Sequence, residues 1–311
     1  MALAKGMHNQ LGRANRSENR AFLLLLMPFM GLFFIFTILP IVSSIVLSFT
    51  DYDMINTPRF TGLSNYLRMF TTDEVFPVAV KNTLLFSVIT GPVSFFLAFL
   101  LAWLINEFRP GMRSLLAFLF YAPALIGNVY YIWQVAFSSD SYGYANSLLL
   151  SWGLITEPIL WFRDVRFSMI IVMIVQLWLS IGISFLADIA GLQNVNPELY
   201  EAGAIDGIRT RWHELWYITL PSMKSILLFG AVMQIQATFS ISAVPMALAG
   251  FPSVNNSVDT LVTHLMDVGT QRYELGYAAA VSVFLFMLMA LWHGARSSAV
   301  PQRDKRSGWC R

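Results

Sequence analysis

Uncharged polar side chains lie inside the apolar stretches of this chain, several of them beside aromatic rings. Amides can pair with the hydroxyl groups of a sugar, while an aromatic ring packs against its apolar C–H face. Such a set suits a cation or a phosphate poorly. Asn128, Tyr131 and Gln134 are spaced by three, which predicts one shared helical face. The complete set of candidate solute-path residues is Asn128, Tyr131, Gln134, Gln176, Trp178, Gln234, Gln236 and Ser240.

Other functions compete with a solute path. The amides can instead join helix to helix, at about 0.6 kcal/mol each on average. A secondary carrier would need ion-coupling carboxylates inside the spans and preferably an internal repeat, and the sequence shows neither. Asp188 is the one acidic residue near an apolar stretch. It follows the stretch Phe167–Leu186, at the end predicted below to be cytoplasmic, where a structural role is expected. A membrane scaffold without transport would need no polar face, so the amides argue against it only weakly.

Sequence motifs for other chemistry are missing. The chain has no G-x-x-x-x-G-K-[ST] phosphate loop, so we expect it to bind no ATP itself. Its four histidines are scattered, and the single cysteine is Cys310, so no metal site or disulfide is indicated. No G-x-S-x-G elbow is present, and the net charge of +2 does not suggest nucleic-acid binding. We therefore expect a protein that is not an enzyme and holds no cofactor.

Charged and small residues alternate in one long segment, Asn196 to Pro221, between two strongly apolar stretches. Apolar positions at helical spacing predict two short amphipathic helices. The first should begin at Pro197 with Asn196 as its cap, and Gly207 should end it with a positive φ. A low face of small residues beside acidic groups fits close packing against another protein. A solvated connector explains the same pattern.

Composition places the chain in a membrane, because 56% of its 311 residues are hydrophobic and only 12% are charged. About 20 apolar helical residues cross a bilayer core. Continuous apolar runs without two-residue alternation predict helices rather than barrel strands. Six spans are predicted, at Phe22–Phe49, Leu84–Ile105, Leu115–Phe137, Phe167–Leu186, Ile226–Leu248 and Leu275–Trp292.

Basic residues predict the orientation. With the N-terminus inside, 14 lysines and arginines fall in cytoplasmic segments and six fall outside. The positive-inside rule therefore places both termini in the cytoplasm. The predicted division is a cytoplasmic N-terminal segment (1–21), a membrane domain (22–292) that contains a cytoplasmic loop (193–222) between spans four and five, and a cytoplasmic tail (293–311).

The loop resembles the signature loop of ABC importer permeases, whose pattern is EAA, three residues, Gly, nine residues, Ile-x-Leu-Pro. The matching residues are Glu201-Ala202-Gly203, Asp206-Gly207 and Ile218-Thr219-Leu220-Pro221. Gly203 replaces the second alanine, and ten residues separate Gly207 from Ile218. Phe60–Phe70, with its Gly-Leu-x-Asn-Tyr run, and Ala190–Gln193 are also similar to carbohydrate-type permeases of the maltose and glycerol-phosphate group.

The resemblance implies an all-α integral membrane protein of the type I importer kind, in the cytoplasmic membrane of a prokaryote. It also implies a second homologous permease, two ATPase subunits that hold ATP and Mg²⁺, and an extracytoplasmic solute-binding protein. A sugar or oligosaccharide is the expected solute; a glycerol-phosphate compound is the alternative. The implied ATPase-coupling residues are Glu201, Ala202, Gly203, Asp206, Gly207, Leu220 and Pro221.

Overall fold

The computed structural model describes residues 24–299, which form a helical bundle with one short antiparallel ribbon. In the ribbon, β1 (Thr50–Asp51) pairs with β2 (Arg59–Phe60). The predicted N-terminal segment (1–21), the first two residues of the first span and residues 300–311 of the tail lie outside the described residues. The helices are α1 (Leu24–Leu47), α2 (Ser64–Thr71), α3 (Val75–Asn106), α4 (Pro110–Leu125), α5 (Tyr131–Ala136), α6 (Tyr144–Ser151), α7 (Val165–Ser180), α8 (Ile183–Gln193), α9 (Pro197–Ile205), α10 (Arg211–Ser222), α11 (Lys224–Phe239), α12 (Ala243–Ala249), α13 (Leu261–Met266) and α14 (Leu275–Ala299).

Four helical stretches within residues 24–299 are long and apolar enough to cross a membrane: α1, α3, Val165–Gln193, and Leu275–Trp292 in α14. The number rises to five if α10 and α11 count as one bent crossing. The expectation of a helical, multi-pass membrane protein is therefore confirmed. The expected number of six spans stays a prediction.

The second predicted span begins earlier than hydropathy indicates. α3 starts at Val75 rather than Leu84 and runs for 32 residues, or about 48 Å. Asp73 explains the early start, because its carboxylate accepts hydrogen bonds from the backbone N–H groups of Val75 and Phe76. Phe76 and Ala79 are then buried in a core cluster, so this first part of the helix packs against protein.

Breaks interrupt three of the predicted spans, a feature that hydropathy sums do not detect. The third is divided into α4, of 16 residues, and α5, with Asn128 at φ +62° between them. Pro123 lies inside α4 just before this break. The fourth extends beyond its predicted limits and breaks at Ile181–Gly182, and the fifth is divided between α11 and α12. α4 alone covers about 24 Å, less than a bilayer core of about 30 Å.

The centre of the bundle is formed by α3, α8 and α11. A stripe of small residues on α3 lets neighbouring helices approach closely, as is common between membrane helices. Gln234 of α11 donates a 2.6 Å hydrogen bond to Ser94 of α3, and Ser184 of α8 lies 3.5 Å from the Gln234 oxygen. The buried members of the stripe are Thr83, Ser87, Thr90, Gly91, Ser94, Ala98 and Ala102.

The two ends of α3 contact different parts of the chain. Near its start, Asn82 donates to the backbone oxygens of Asn256 and Asp259, at 3.0 and 2.9 Å. Near its end, Trp103 and Glu107 contact α10. These contacts are roughly 36 Å apart along the helix. The chain therefore gathers residues around 256–259 at one end of the bundle and the signature loop at the other.

Asp73 also joins several elements at the first of these ends. One of its oxygens accepts hydrogen bonds from Tyr277, at 2.6 Å, and pairs with His264 at 2.9 Å. Burial raises the pKa of Asp73, but the bonds from Tyr277 and the Phe76 amide outweigh burial and leave the pKa below its ordinary value. The carboxylate thus connects the start of α3 with α13 and α14.

Asn146 holds together the long connection between α5 and α7. Its side chain is fully buried, and the two hydrogens of its amide nitrogen are shared among the backbone oxygens of Ser138, Asp140 and Ile159, all within 3.1 Å. Its oxygen accepts from the Ile159 N–H and from the Trp161 indole at 2.9 Å. One side chain therefore contacts five polar groups of this connection, which would otherwise need water or another group as a hydrogen-bond partner.

Replacing Asn146 with alanine should loosen this connection. The change leaves several polar groups without partners, at about 1–3 kcal/mol for each group that stays buried. We expect faster proteolysis between residues 138 and 163 and a lower midpoint of thermal unfolding. Ser147→Ala is the matched control, because the neighbouring Ser147 is exposed. Equal protease sensitivity of the two variants would contradict the role assigned to Asn146.

Candidate functional site

The first short helix of the signature loop forms as the sequence predicts. α9 begins at Pro197, and the Asn196 side chain accepts a hydrogen bond from the Glu198 N–H at 3.1 Å. Both features of this helix start are confirmed. Glu201, Ala202 and Asp206 are exposed. Exposed apolar side chains accompany them, since Leu199 is 46% and Ile205 is 87% exposed.

Gly207 makes the turn after α9, with φ at +91°. A non-glycine residue is strained at this angle, although nothing lies within 4 Å of a Cβ built there. The predicted positive φ is confirmed. The chain therefore reverses toward α10 at a turn that depends on the backbone angle of Gly207 and not on close packing around it.

Gly203 lies where α9 meets α10. It is buried, and a Cβ built on it would come within 2.6 Å of the Ile218 Cδ1 atom and 3.4 Å of the Ile208 Cδ1 atom. Tyr200 and Thr219 add a hydrogen bond between their hydroxyls at 3.0 Å. The departure from the family pattern at Gly203 thus has a local reason, because Ile218 occupies the space that an alanine methyl group would take.

The second part of the loop is α10. The Thr210 side chain caps it by accepting from the His213 N–H at 3.3 Å. Its turn Leu215–Thr219 is a π-helix, in which the Leu220 N–H bonds to the Leu215 carbonyl. The chain then bends by 79° between α10 and α11, just after Pro221. Leu220 and Pro221 therefore stand directly before the entry into α11, where the sequence places them.

α10 also contacts the end of α3. Arg211 forms ion pairs with Glu107, at 3.1 Å, and with Glu214, at 2.8 Å. The rings of Trp103 and Trp212 have centroids 5.4 Å apart. Glu107 and Trp103 were not among the predicted site residues, because no local pattern shows which helix end the loop will meet.

The first group of solute-path residues follows the break after α4. Asn128, Tyr131 and Gln134 are all exposed in this chain. Asn128 lies in the break, outside a helix, and accepts a 2.5 Å hydrogen bond from Tyr130. The predicted continuous helical face is therefore wrong for Asn128. Tyr131 and Gln134 do lie on one short helix, α5.

Other members of the set are distributed over α7 and α11. Gln176 and Trp178 are half-buried on α7, and Trp178 meets Trp133 edge to face at 5.5 Å. Gln236 and Ser240 are exposed. Gln234 is only 4% exposed, so in this conformation it joins helices and lines no open surface. The sequence could not show which of Gln234 and Gln236 is buried, since both lie on one apolar helix.

A cavity of about 360 Å³ opens beside α5. Gln134 lines it together with Ser138, Ser139 and Arg163. Leu248, Ala249 and Gly250 close another side. Sequence analysis did not single out Arg163 or the two serines as site residues. The sequence does carry a signal for them, because Ser138 and Ser139 directly follow an apolar stretch that ends at Phe137, and Arg163 directly follows Phe162.

Metal-ligating side chains do not cluster in the part of the chain that the structure describes, where no group of three or more His, Cys, Asp or Glu could hold an ion.

A pair of substitutions at Gly203 tests the packing of α9 on α10. Gly203→Ala should be tolerated, because only the end of the Ile218 side chain must move and alanine favours a helix by about 1 kcal/mol. Gly203→Val should destabilise the loop, since its two methyl groups meet Ile208 as well. Thermal unfolding and protease cleavage within residues 193–222 provide the measurement. Equal loss in both variants would show that Ile218 has no room to move.

Comparisons with known proteins agree with these features. No family model matches the chain. It is 30% identical over 285 residues to the probable ABC transporter permease protein YesP of Bacillus subtilis, covering 90% of each chain. It is 30% identical over 270 residues to the lactose transport system permease protein LacF of Rhizobium radiobacter, covering 85% of this chain and 88% of LacF.

A solved structure shares the fold. One chain of a bacterial alginate ABC transporter, crystallised in complex with an alginate pentasaccharide-bound periplasmic protein, superposes with a TM-score of 0.75 at 24% identity. The match covers 94% of this chain and 99% of that one. Because the chain is 30% identical to YesP and to LacF over most of its length, it belongs to the carbohydrate-type permease family of ABC importers.

Proposed function

We propose that this chain is the permease subunit of an ATP-driven, binding-protein-dependent importer that moves a sugar or oligosaccharide across the cytoplasmic membrane. The observation that carries the proposal is the position of α9. This short, exposed helix follows α8 directly and is connected through α10 to α11. A partner that moves α9 would therefore act on two helices at the centre of the bundle.

The proposed assembly contains a second homologous permease, two cytoplasmic ATPases that bind ATP and Mg²⁺, and an extracytoplasmic solute-binding protein. The periplasmic protein in the solved alginate complex supports the last of these. Six crossings and cytoplasmic termini complete the proposed topology. In it, α4 and α5 together form the third crossing across the break at residues 126–130.

The proposed mechanism is alternating access. Closure of the ATPase pair moves α9, and the movement passes into α8 on one side and through α10 into α11 on the other. The contacts of Trp212 and Arg211 with the end of α3 extend the same movement to a third helix. Since Gln234 joins these three helices, they are expected to move together.

Each coupling residue has a proposed part in this mechanism. Glu201 and Asp206, which are exposed, pair with basic groups on the ATPase. Ala202 and Gly203 have small side chains, so that α10 and the ATPase can both pack closely against α9. Gly207 makes the turn, and Leu220 with Pro221 sets the entry into α11.

Solute would pass where this chain meets the second permease. Tyr131, Gln134, Gln236 and Ser240 are exposed in the single chain, which supports a path that a second subunit completes. Their neutral groups suit a sugar. Arg163 supports a second candidate, because a guanidinium beside Gln134 also suits an anionic solute such as a glycerol-phosphate compound.

Gly207→Val should uncouple ATP hydrolysis from uptake while membrane insertion stays normal. The variant forces a β-branched side chain to φ +91°, which distorts the turn between α9 and α10. We would co-express the chain with candidate ATPase and permease partners and measure ATPase activity stimulated by loaded binding protein in liposomes. Stimulation should disappear in the variant.

Gly111→Val is the matched control, because Gly111 also has open space around a Cβ but no positive φ. Normal stimulation of ATPase activity in Gly207→Val would contradict the coupling role of the turn. Sugar uptake by the wild type without any ATPase would instead indicate a secondary carrier.

Two substitutions in the cavity separate the candidate solutes. Gln134→Leu should lower uptake of a neutral oligosaccharide about fivefold, since one hydrogen bond contributes about 1 kcal/mol. Arg163→Gln should leave that uptake unchanged. Initial rates of radiolabelled uptake provide the measurement. If Arg163→Gln abolishes uptake and Gln134→Leu does not, the anionic solute is the better proposal.

A further inference from the structure

α10 turns away from the direction of the spans. The bend of 79° at Met223 sets it almost perpendicular to α11. A helix perpendicular to a crossing helix, at the end of that helix, lies close to the plane of the membrane surface. Helices in that plane bind by an apolar or aromatic face when they have one.

α10 has such a face. Leu215, Ile218 and Thr219 are buried against the rest of the chain. Two large aromatic side chains of α10 remain exposed: Trp212 is 60% and Trp216 is 64% exposed. These two indoles are four residues apart, so they project from one side of the helix.

The contacts of α10 with α3 set its depth. Trp103 lies in the last turn of α3, a helix long and apolar enough to cross the membrane, and its ring meets that of Trp212. Four residues further, Glu107 pairs with Arg211. An aromatic contact followed within one turn by an ion pair is the order expected where hydrocarbon gives way to headgroups. Tryptophan is enriched at that level.

We propose that α10 lies in the headgroup region of one leaflet and that Trp212 and Trp216 insert between the lipids there. Lys224, exposed at the start of α11, makes no ion pair with another described residue and is available to anionic headgroups. The proposed function enters only in naming this leaflet cytoplasmic. The bilayer would thus fix the height of the signature loop independently of its protein partners.

Lipid is favoured over a protein partner by continuity. Leu228, four residues after Lys224 on the adjoining α11, is 49% exposed, so apolar surface continues from α10 onto the same side of α11 as Lys224. α9, by contrast, exposes the acidic groups Glu201 and Asp206. The two halves of the loop therefore have different neighbours: protein for α9 and lipid for α10.

Spin-label accessibility tests the proposal on the full chain in vesicles of phosphatidylethanolamine and phosphatidylglycerol. In a Cys310→Ser background, a nitroxide is attached to one cysteine at a time, at Trp212→Cys, Trp216→Cys or Ile205→Cys. Oxygen concentrates in lipid, and a nickel chelate stays in water. Labels at 212 and 216 should collide more with oxygen than with nickel, and the control label on α9 should show the reverse.

Two results would overturn the proposal. Equal access of nickel to all three positions would place α10 in water, and protection of 212 and 216 from both reagents would show that protein covers them. Neither result bears on the Gly207→Val uncoupling experiment, so the proposed function is tested separately. If a cysteine variant fails to insert, headgroup-labelled quenching lipid replaces the label: quenching of tryptophan emission should fall in Trp212→Phe/Trp216→Phe relative to the unsubstituted chain.

Discussion

Polar groups inside a bilayer are costly without partners within the protein, and this cost shapes the hydroxyl and amide contacts at the centre of the bundle. The buried carboxylate of Asp188 on α8 is the exception, since it lacks a hydrogen-bond partner among the described residues. The hydroxyls of Thr83, Ser87 and Thr90 each bond back to a carbonyl one turn earlier in α3. Small residues that satisfy themselves in this way leave a smooth surface, so α8 and α11 can pack closely on α3. Gln234 then has Ser94 and Ser184 within reach and joins the three helices.

The signature loop depends on that centre, because it connects two of the three joined helices. Its own geometry is fixed by the fit of Ile218 against Gly203 and by the turn at Gly207. Only the fit is tight; the turn has open space around it. Because α9 and α10 are packed together at Gly203 and Ile218, the two helices can move as a unit without losing this contact, which suits the proposed transmission of movement from a partner to the spans.

Sequence predicted the features that local chemistry determines. The cap at Asn196 and the turn at Gly207 follow from preferences of single residues, and the structure has both. The contact of Gly203 with Ile218 joins residues fifteen positions apart and could not be seen locally. The break after Phe239 escaped because hydropathy records how apolar a stretch is and not whether its backbone stays helical. For the break at Asn128 the sequence does carry a local signal, since Pro123 lies just before it.

The candidate solute-path residues also show that sequence alone does not reveal which side chains are buried. Gln234 and Gln236 are alike in type and lie two positions apart, yet one is buried and the other is exposed. Residues two positions apart in a helix lie about 200° apart around its axis, so Gln234 and Gln236 belong to different faces of the helix. In this conformation the buried amide of Gln234 joins helices, whereas the exposed amide of Gln236 can contact another molecule. The exposed residues Gln134, Gln236 and Ser240 are therefore better candidates than Gln234 for the proposed solute path.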